Sequence, residues 1–213
     1  MTVLFEDNDI IAVDKPAGLL SVPGRGADKL DSVESRARER IAGASAIHRL
    51  DMATSGIMLI AKHKAAERHF KIQFEQRKVT KIYYAITCGI MKVTEGEMRW
   101  PLIVDWEHRP RQKVCEKEGK AALTHYQVIG IDQTGKQTLV RLRPLTGRSH
   151  QLRVHLATLG YPIVGDDLYH PRPKKTRLML HASDLTISKR DGEDLILHSA
   201  LPDSFVVERF SLA

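Results

Sequence analysis

The sequence predicts an α+β fold: a mixed, largely antiparallel sheet with helices and loops packed around it. Three observations carry that prediction. Apolar runs of strand length recur along the chain, among them Val3–Phe5, Ile10–Val13, Ile57–Ala61 and Thr138–Leu145. Helical periodicity is confined to a few segments. Strands and helices do not alternate in the regular βαβα order that builds a parallel sheet.

Taken in order, Val3–Phe5 and Ile10–Val13 read as a strand pair joined by the polar turn Glu6–Asp9, and Lys15-Pro16 and Gly18 end the second strand. Asp31 is placed to cap a helix over Ser32–Ile41, with Val33, Ala37 and Ile41 on its inner face and Arg36, Arg38 and Arg40 as a charged face. Ile57–Ala61 has the continuous apolar character of a buried strand. Lys64–Lys78 is helical, with Ala66, Phe70 and Phe74 spaced four apart. Lys81–Gly89 returns to strand. The stretches Glu97–Val104, Ala121–Ile131 and Thr138–Leu145 follow as strands, with Asp132–Gly135 as a turn. Gln151–Leu159 is a short helix stopped by Gly160 and Pro162, and Leu178–Ile187 and Phe205–Phe210 close the fold as strands.

With 42% apolar residues, the 213-residue chain has enough material for a core that needs no metal or disulfide, and it reads as a single domain over 1–213. Lys and Arg number 33 against 26 Asp and Glu, a net +7 that suits a polyanionic partner. Cys88 and Cys115 form no C-x-x-C pair and read as reduced thiols. No apolar run approaches the ~18 residues of a membrane span, and the first residues lack a signal-peptide pattern, so a cytoplasmic protein is expected.

Several kinds of chemistry are disfavoured by motif. His150 and His155 are five apart, which places them on different faces of a helix and not at the i, i+4 spacing of a zinc pair. Neither G-x-x-x-x-G-K-[ST] nor G-x-G-x-x-G occurs, and Thr54-Ser55-Gly56 lacks the first glycine of a nucleophile elbow. What remains is Asp51, a lone carboxylate that follows a basic pair and precedes a buried strand. By itself such an Asp is more often a turn former or a salt-bridge partner.

The surrounding pattern changes that balance. His48-Arg-Leu-Asp51 followed by Thr54-Ser-Gly56 and an apolar strand resembles the signature of the RluA family of pseudouridine synthases. Asp14-Lys-Pro-Ala-Gly-Leu-Leu20, Lys81-Ile-Tyr83, Thr146-Gly-Arg-Ser-His-Gln-Leu-Arg-Val-His155, Gly165-Asp-Asp-Leu-Tyr169 and Leu180-His-Ala182 agree in order and spacing. The stretches LLSVPGR, PLIVDWEHRPRQKV and GKAALTHY are closest to the dual-specificity branch of the family.

The resemblance implies a pseudouridine synthase catalytic fold around a central RNA-binding cleft, without the additional N-terminal RNA-binding module of larger relatives. It implies an isomerase that acts without cofactor or metal on uridines in stem-loops of 23S ribosomal RNA and tRNA anticodon arms, as a monomer. Asp51 becomes the nucleophile, ion-paired with Arg148, which holds it ionised in a water-poor pocket. Tyr83 stacks on the flipped uracil, and its neighbour Tyr84 points to the opposite face of the strand. Arg49 inserts where the base has left. Gln151 and Arg153 orient Arg148 or touch phosphate, and Leu180 packs near the uracil. His48 and His181 match family motifs, with a structural role favoured for each over contact with RNA. The alternatives are a synthase restricted to tRNA or to ribosomal RNA, and a non-catalytic RNA-binding protein on the same fold.

Overall fold

The computed structural model describes residues 1–171 and 176–212. Its elements in chain order are β1 (Thr2–Glu6), β2 (Ile10–Lys15), α1 (Val33–Arg40), β3 (Ser45–Ala46), β4 (Ser55–Ala61), α2 (Lys64–Glu75), β5 (Thr80–Cys88), β6 (Glu95–Met98), β7 (Leu102–Val104), β8 (Gln112–Val114), β9 (Thr124–Asp132), β10 (Gln137–Pro144), α3 (Gln151–Thr158), β11 (Leu180–Ser188), β12 (Asp194–His198) and β13 (Phe210–Leu212). This is the α+β composition expected. The chain forms two compact units, Met1–Lys81 with His181–Ala200, and Ile82–Leu180 with Leu201–Ala213.

In the first unit the strand order is β1-β2-β4-β11, with β3 on β4 and β12 on β11. The β4–β11 pair is parallel and the other pairs are antiparallel. All seven residues of β4 are buried, which explains its unbroken apolar run. Its side chains alternate between two cores. Ile57, Leu59 and Ala61 pack with Ala66 and Phe70 of α2. Met58 and Ile60 pack with Val33 and Ala37 of α1. Each fully buried Ile, Leu, Met, Val or Phe side chain among them contributes roughly 1.5–3 kcal/mol.

Three local expectations are corrected here. Ser32, not Asp31, caps α1: its Oγ accepts from Ser35 N at 3.0 Å, and Ser35 Oγ accepts from Ser32 N at 2.8 Å. Asp31 instead grips Arg36 through a two-bond fork. The three arginines of that helix face carboxylates, Arg38 at Glu34 and Arg40 at Glu6. Helix α2 ends at Glu75, before the expected Lys78. Arg77 turns into the left-handed region at φ 58°, where its N–H bonds Phe74 O and closes the helix end. Finally, β12 was not anticipated, because Leu195-Ile-Leu197 is only three apolar residues without polar alternation, preceded by the charged stretch 189–194.

In the second unit the order is β5-β10-β9-β13, with β6 on β9, and β7 and β8 form a separate hairpin. The single strand expected over Glu97–Val104 is split at Arg99–Pro101, since proline offers no N–H to a ladder. The hairpin partner β8 was not anticipated. The β9–β10 turn lies where expected and is organised by Asp132, whose carboxylate accepts from Lys136 N, Gln137 N and Thr134 Oγ1. Phe205–Phe210 is not a strand. Short 3-10 turns occupy 203–205 and 207–209, and only Phe210–Leu212 pairs, with β9. Phe205 is fully buried beside Ile86, Leu139 and Val164.

Candidate active site

Asp51 sits in a loop between β3 and β4 of the first unit, and the segment that follows β2 holds that loop from below. Lys15, the last residue of β2, has no exposed surface. Its Nζ donates to Leu19 O at 2.7 Å, Met52 O at 2.9 Å and Pro16 O at 3.0 Å. An ammonium has three donors, and a buried one must place them all. Here the carbonyls that receive them belong to the Asp14-Lys-Pro-Ala-Gly-Leu turn and to the residue after Asp51. Gly18, at φ 90°, lets that turn bend back so that its N–H reaches Met52 O at 2.8 Å. Ser21 completes the clamp. Its Oγ donates to Leu50 O at 2.7 Å and accepts from Leu50 N at 3.0 Å, on the other side of Asp51. Thr54 N bonds Asp51 O at 3.1 Å and closes the turn into β4.

The flanking residues divide by exposure. Arg49 is solvent-exposed, whereas Leu50 is buried and Asp51 is half-buried. His48 is built into the fold. Its ring stacks on Phe74 at 4.6 Å, and Nε2 accepts from Leu59 N at 3.1 Å, which puts the ring proton on Nδ1. Burial, reinforced by the charge of Lys81, holds its pKa down at about 3, so the ring is neutral near neutrality. Burial also lowers the pKa of Lys81.

On the far side of β4 the close parallel pairing with β11 sets the residue types. Gly56 has φ 114°, and a Cβ there would lie 2.2 Å from Ala182 O. Ser55 Oγ and His181 Nδ1 are 2.8 Å apart, and His181 Nε2 lies 3.3 Å from Ser199 O. Ser55-Gly56 and His181-Ala182 are therefore two halves of one buried seam. Their sequence signal was visible, but not their partnership.

In the second unit, Arg148 occupies the turn before α3. Gln151 is buried and fixes this turn. Its Oε1 accepts from Arg148 N at 3.0 Å and from Thr146 Oγ1 at 2.7 Å, while its Nε2 donates to Leu123 O and Thr124 Oγ1. The Arg148 Nε donates to Ala121 O at 3.1 Å. Gln151 thus orients the Arg148 backbone. Arg153, 3% exposed, is engaged elsewhere, in a two-bond fork to Asp166 at 2.8 and 2.7 Å with Asp167 at 3.0 Å. Asp166, fully buried, also accepts from Leu168 N and Tyr169 N. His155 is buried between Thr124 Oγ1 and Trp100 O, and burial lowers its pKa. Tyr83 and Tyr84 alternate along β5: Tyr83 is opposite Leu142, and Tyr84 packs with Ile86 and Leu139. Leu180 is buried at the start of β11.

Residues 9–158 match the family described as RNA pseudouridylate synthase. The chain belongs to the RluA family of RNA pseudouridine synthases. It is 52% identical over 187 residues to "Dual-specificity RNA pseudouridine synthase RluA" of Vibrio cholerae, covering 86% of this chain and 75% of that one. It is 51% identical over 191 residues to the protein of the same name from Yersinia pestis, covering 88% and 92%. Among solved structures it is similar to "Human RNA Pseudouridylate Synthase Domain Containing 1", with TM-score 0.80 and 29% identity over 100% of this chain and 88% of that one. The family performs an isomerisation. The N-glycosidic bond of a uridine is exchanged for a carbon–carbon bond, C5 loses a proton and N1 gains one, so atoms and electrons balance within the substrate.

Lys15, Ser21 and Asp166 are the structural contributors that sequence reasoning left without a role. Their signal was present: a lysine next to proline at the end of an apolar strand cannot remain in that core without a ring of acceptors.

Proposed function

We propose that this pseudouridine synthase isomerises specific uridines in stem-loops of both 23S ribosomal RNA and tRNA anticodon arms, with Asp51 as the nucleophile. The dual-specificity name carried by relatives about half identical to this chain supports the substrate range. The observation that carries the Asp51 assignment is the clamp around it. Buried Lys15 and Ser21 bind the backbone of Leu50 and Met52, the residues on either side. An Asp that served only as a surface turn former would need no such support.

In this mechanism Arg148 is the cation assigned to pair with Asp51. Gln151 holds the Arg148 turn, and Arg153 with Asp166 holds the helix behind it. Tyr83 stacks on the extruded base and Leu180 packs against it. Extrusion costs a few kcal/mol. Arg49, exposed at the mouth of the Asp51 loop, fills the gap, its guanidinium stacking on the neighbouring bases. His48 acts through the fold and not through RNA. No cofactor enters the scheme, and the enzyme works as a cytoplasmic monomer.

The test is to incubate the protein with a tRNA anticodon-arm transcript and a 23S hairpin transcript and to map pseudouridine at single-nucleotide resolution, with Asp51→Asn in parallel. Wild type is expected to modify both, and Asp51→Asn neither while retaining RNA affinity. Modification of one RNA alone would refute dual specificity. Turnover by Asp51→Asn would refute the nucleophile assignment.

A further inference from the structure

The loop between β7 and β8 takes no part in the site described above. Within it Trp106 is 67% exposed, a large indole held out in solvent. One face is covered by Arg109, whose guanidinium carbon lies 3.5 Å from the ring centroid. The loop is nonetheless fixed. Asp105 N bonds Arg111 O at 2.9 Å, His108 N bonds Asp105 O at 3.2 Å and Arg111 N bonds His108 O at 3.0 Å. The Asp105 carboxylate is turned inward on His108 and Lys113.

Both strands of the hairpin are tied to the turn that carries Arg148. On the β7 side, Leu102 and Lys120 exchange backbone bonds at 3.0 and 2.8 Å, and the next carbonyl, Ala121 O, holds Arg148 Nε. On the β8 side, Gln112 N donates to Tyr169 Oη at 2.7 Å, and that hydroxyl lies 2.7 Å from His150 Nδ1. Tyr169 is itself seated by Asp166 through its own N–H at 3.0 Å. Trp106 is four residue steps beyond Leu102, a reach of roughly 13 Å at most. The hairpin is thus a braced arm that carries an aromatic plate at a set distance from Arg148.

We propose that Trp106, backed by Arg109, is a stacking plate for an unpaired base of the substrate RNA. The proposal rests on the RNA substrate class. A single flat ring suits sequence-tolerant base stacking, because every base offers a π-face. A guanidinium already stacked on the ring keeps its edge N–H groups for a phosphate. A protein partner is disfavoured by the surroundings. Glu107, His108, Arg109 and Pro110 are all exposed, and none supplies the contiguous apolar area from which a protein interface core is made. Arg109, Arg111 and Lys113 add positive charge in and beside the same loop.

The chain has two tryptophans, and the other, Trp100, lies edge-on to His155 at 6.0 Å. A Trp100→Phe protein therefore reports from Trp106 alone. Titration with the anticodon-arm transcript is expected to quench its emission, with RNA retention on a filter followed in parallel. In the otherwise wild-type protein, Trp106→Ala is expected to weaken Kd by about 5–100-fold, and Trp106→Phe to recover most of that loss. Arg109→Ala is expected to flatten the dependence of log K on log salt by about 0.7. Unchanged emission while the filter shows RNA bound, or a Trp106→Ala Kd within twofold of wild type, would overturn the proposal and leave the plate to a protein partner. If wild type retained no RNA, the substrate assignment itself would fail, and the plate with it.

Discussion

Replacing Lys15 with methionine removes one charge and three hydrogen bonds while keeping nearly the same volume. The bonds to Leu19, Met52 and Pro16 carbonyls are 2.7–3.0 Å long. Hydrogen bonds from a charged group are worth roughly 1.5–3 kcal/mol each, so simple addition gives about 5–9 kcal/mol. Against that stands the desolvation of a fully buried ammonium, several kcal/mol, which methionine relieves. The expected net loss is about 2–4 kcal/mol. With a urea slope of about 2 kcal/mol per molar, the unfolding midpoint should fall by roughly 1–2 M. Pseudouridine formation, measured at low urea where the variant is folded, should fall as well, because Met52 O, next to Asp51, loses one of its two donors and keeps only Gly18 N–H. A midpoint within about 0.3 M of wild type with full turnover would refute the clamp argument.

The remaining predictions concern the seam, the helix support and acid stability. Gly56→Ala drives a Cβ into Ala182 backbone from a left-handed φ, and thermal unfolding should show about 3 kcal/mol or more of destabilisation; a near-native melting curve would contradict the packing. Asp166→Asn keeps an oxygen for Leu168 N and Tyr169 N but removes the buried countercharge and the Nε acceptor of Arg153, leaving exposed Asp167 as its carboxylate, at a cost of about 3–5 kcal/mol in chemical unfolding. Adding Arg153→Met should restore part of that loss, and strict additivity in the double-mutant cycle would argue against the pair. His48 is held at about 3 in the folded state against about 6.5 unfolded, so the unfolded chain binds more protons between those values. Its contribution is fully present above pH 6.5 and declines as pH falls, by at most about 1.4 kcal/mol per pH unit, and His48→Gln should flatten that slope in calorimetry.

Much of this was legible in the sequence because the signals are local. Ile57–Ala61 announced a strand buried on both faces, and Ala66, Phe70 and Phe74 announced the inner face of α2. Where prediction failed, a single competing interaction decided the outcome. Ser35 returned a bond to Ser32 and made it the cap, and Pro101 broke a strand that its apolar neighbours favoured. The site was legible as motifs but not as contacts. Nothing in Asp14-Lys-Pro says that the lysine turns inward to meet Met52, 37 positions on. Gln151 is similar: its place in the motif was plain, whereas its role as a backbone brace depends on Leu123 and Thr124, which arrive from β9 and the segment before it.

The pairing of Ser55 with His181 also has a bearing on biosynthesis. These residues are 126 positions apart, and the parallel ladder between β4 and β11 joins the same two stretches. At 5–20 residues per second, the strand that seals β4 is translated roughly 6–25 s after it. For that interval the Ser55–Gly56 end of one β4 edge has no native partner, while β3 already covers Ile60 and Ala61 of the same edge, and the turn leading out of the Asp51 loop lacks its far wall. The nascent chain must therefore wait with an aggregation-prone edge exposed, and ribosome stalling between codons 61 and 180 should prolong its dependence on chaperones.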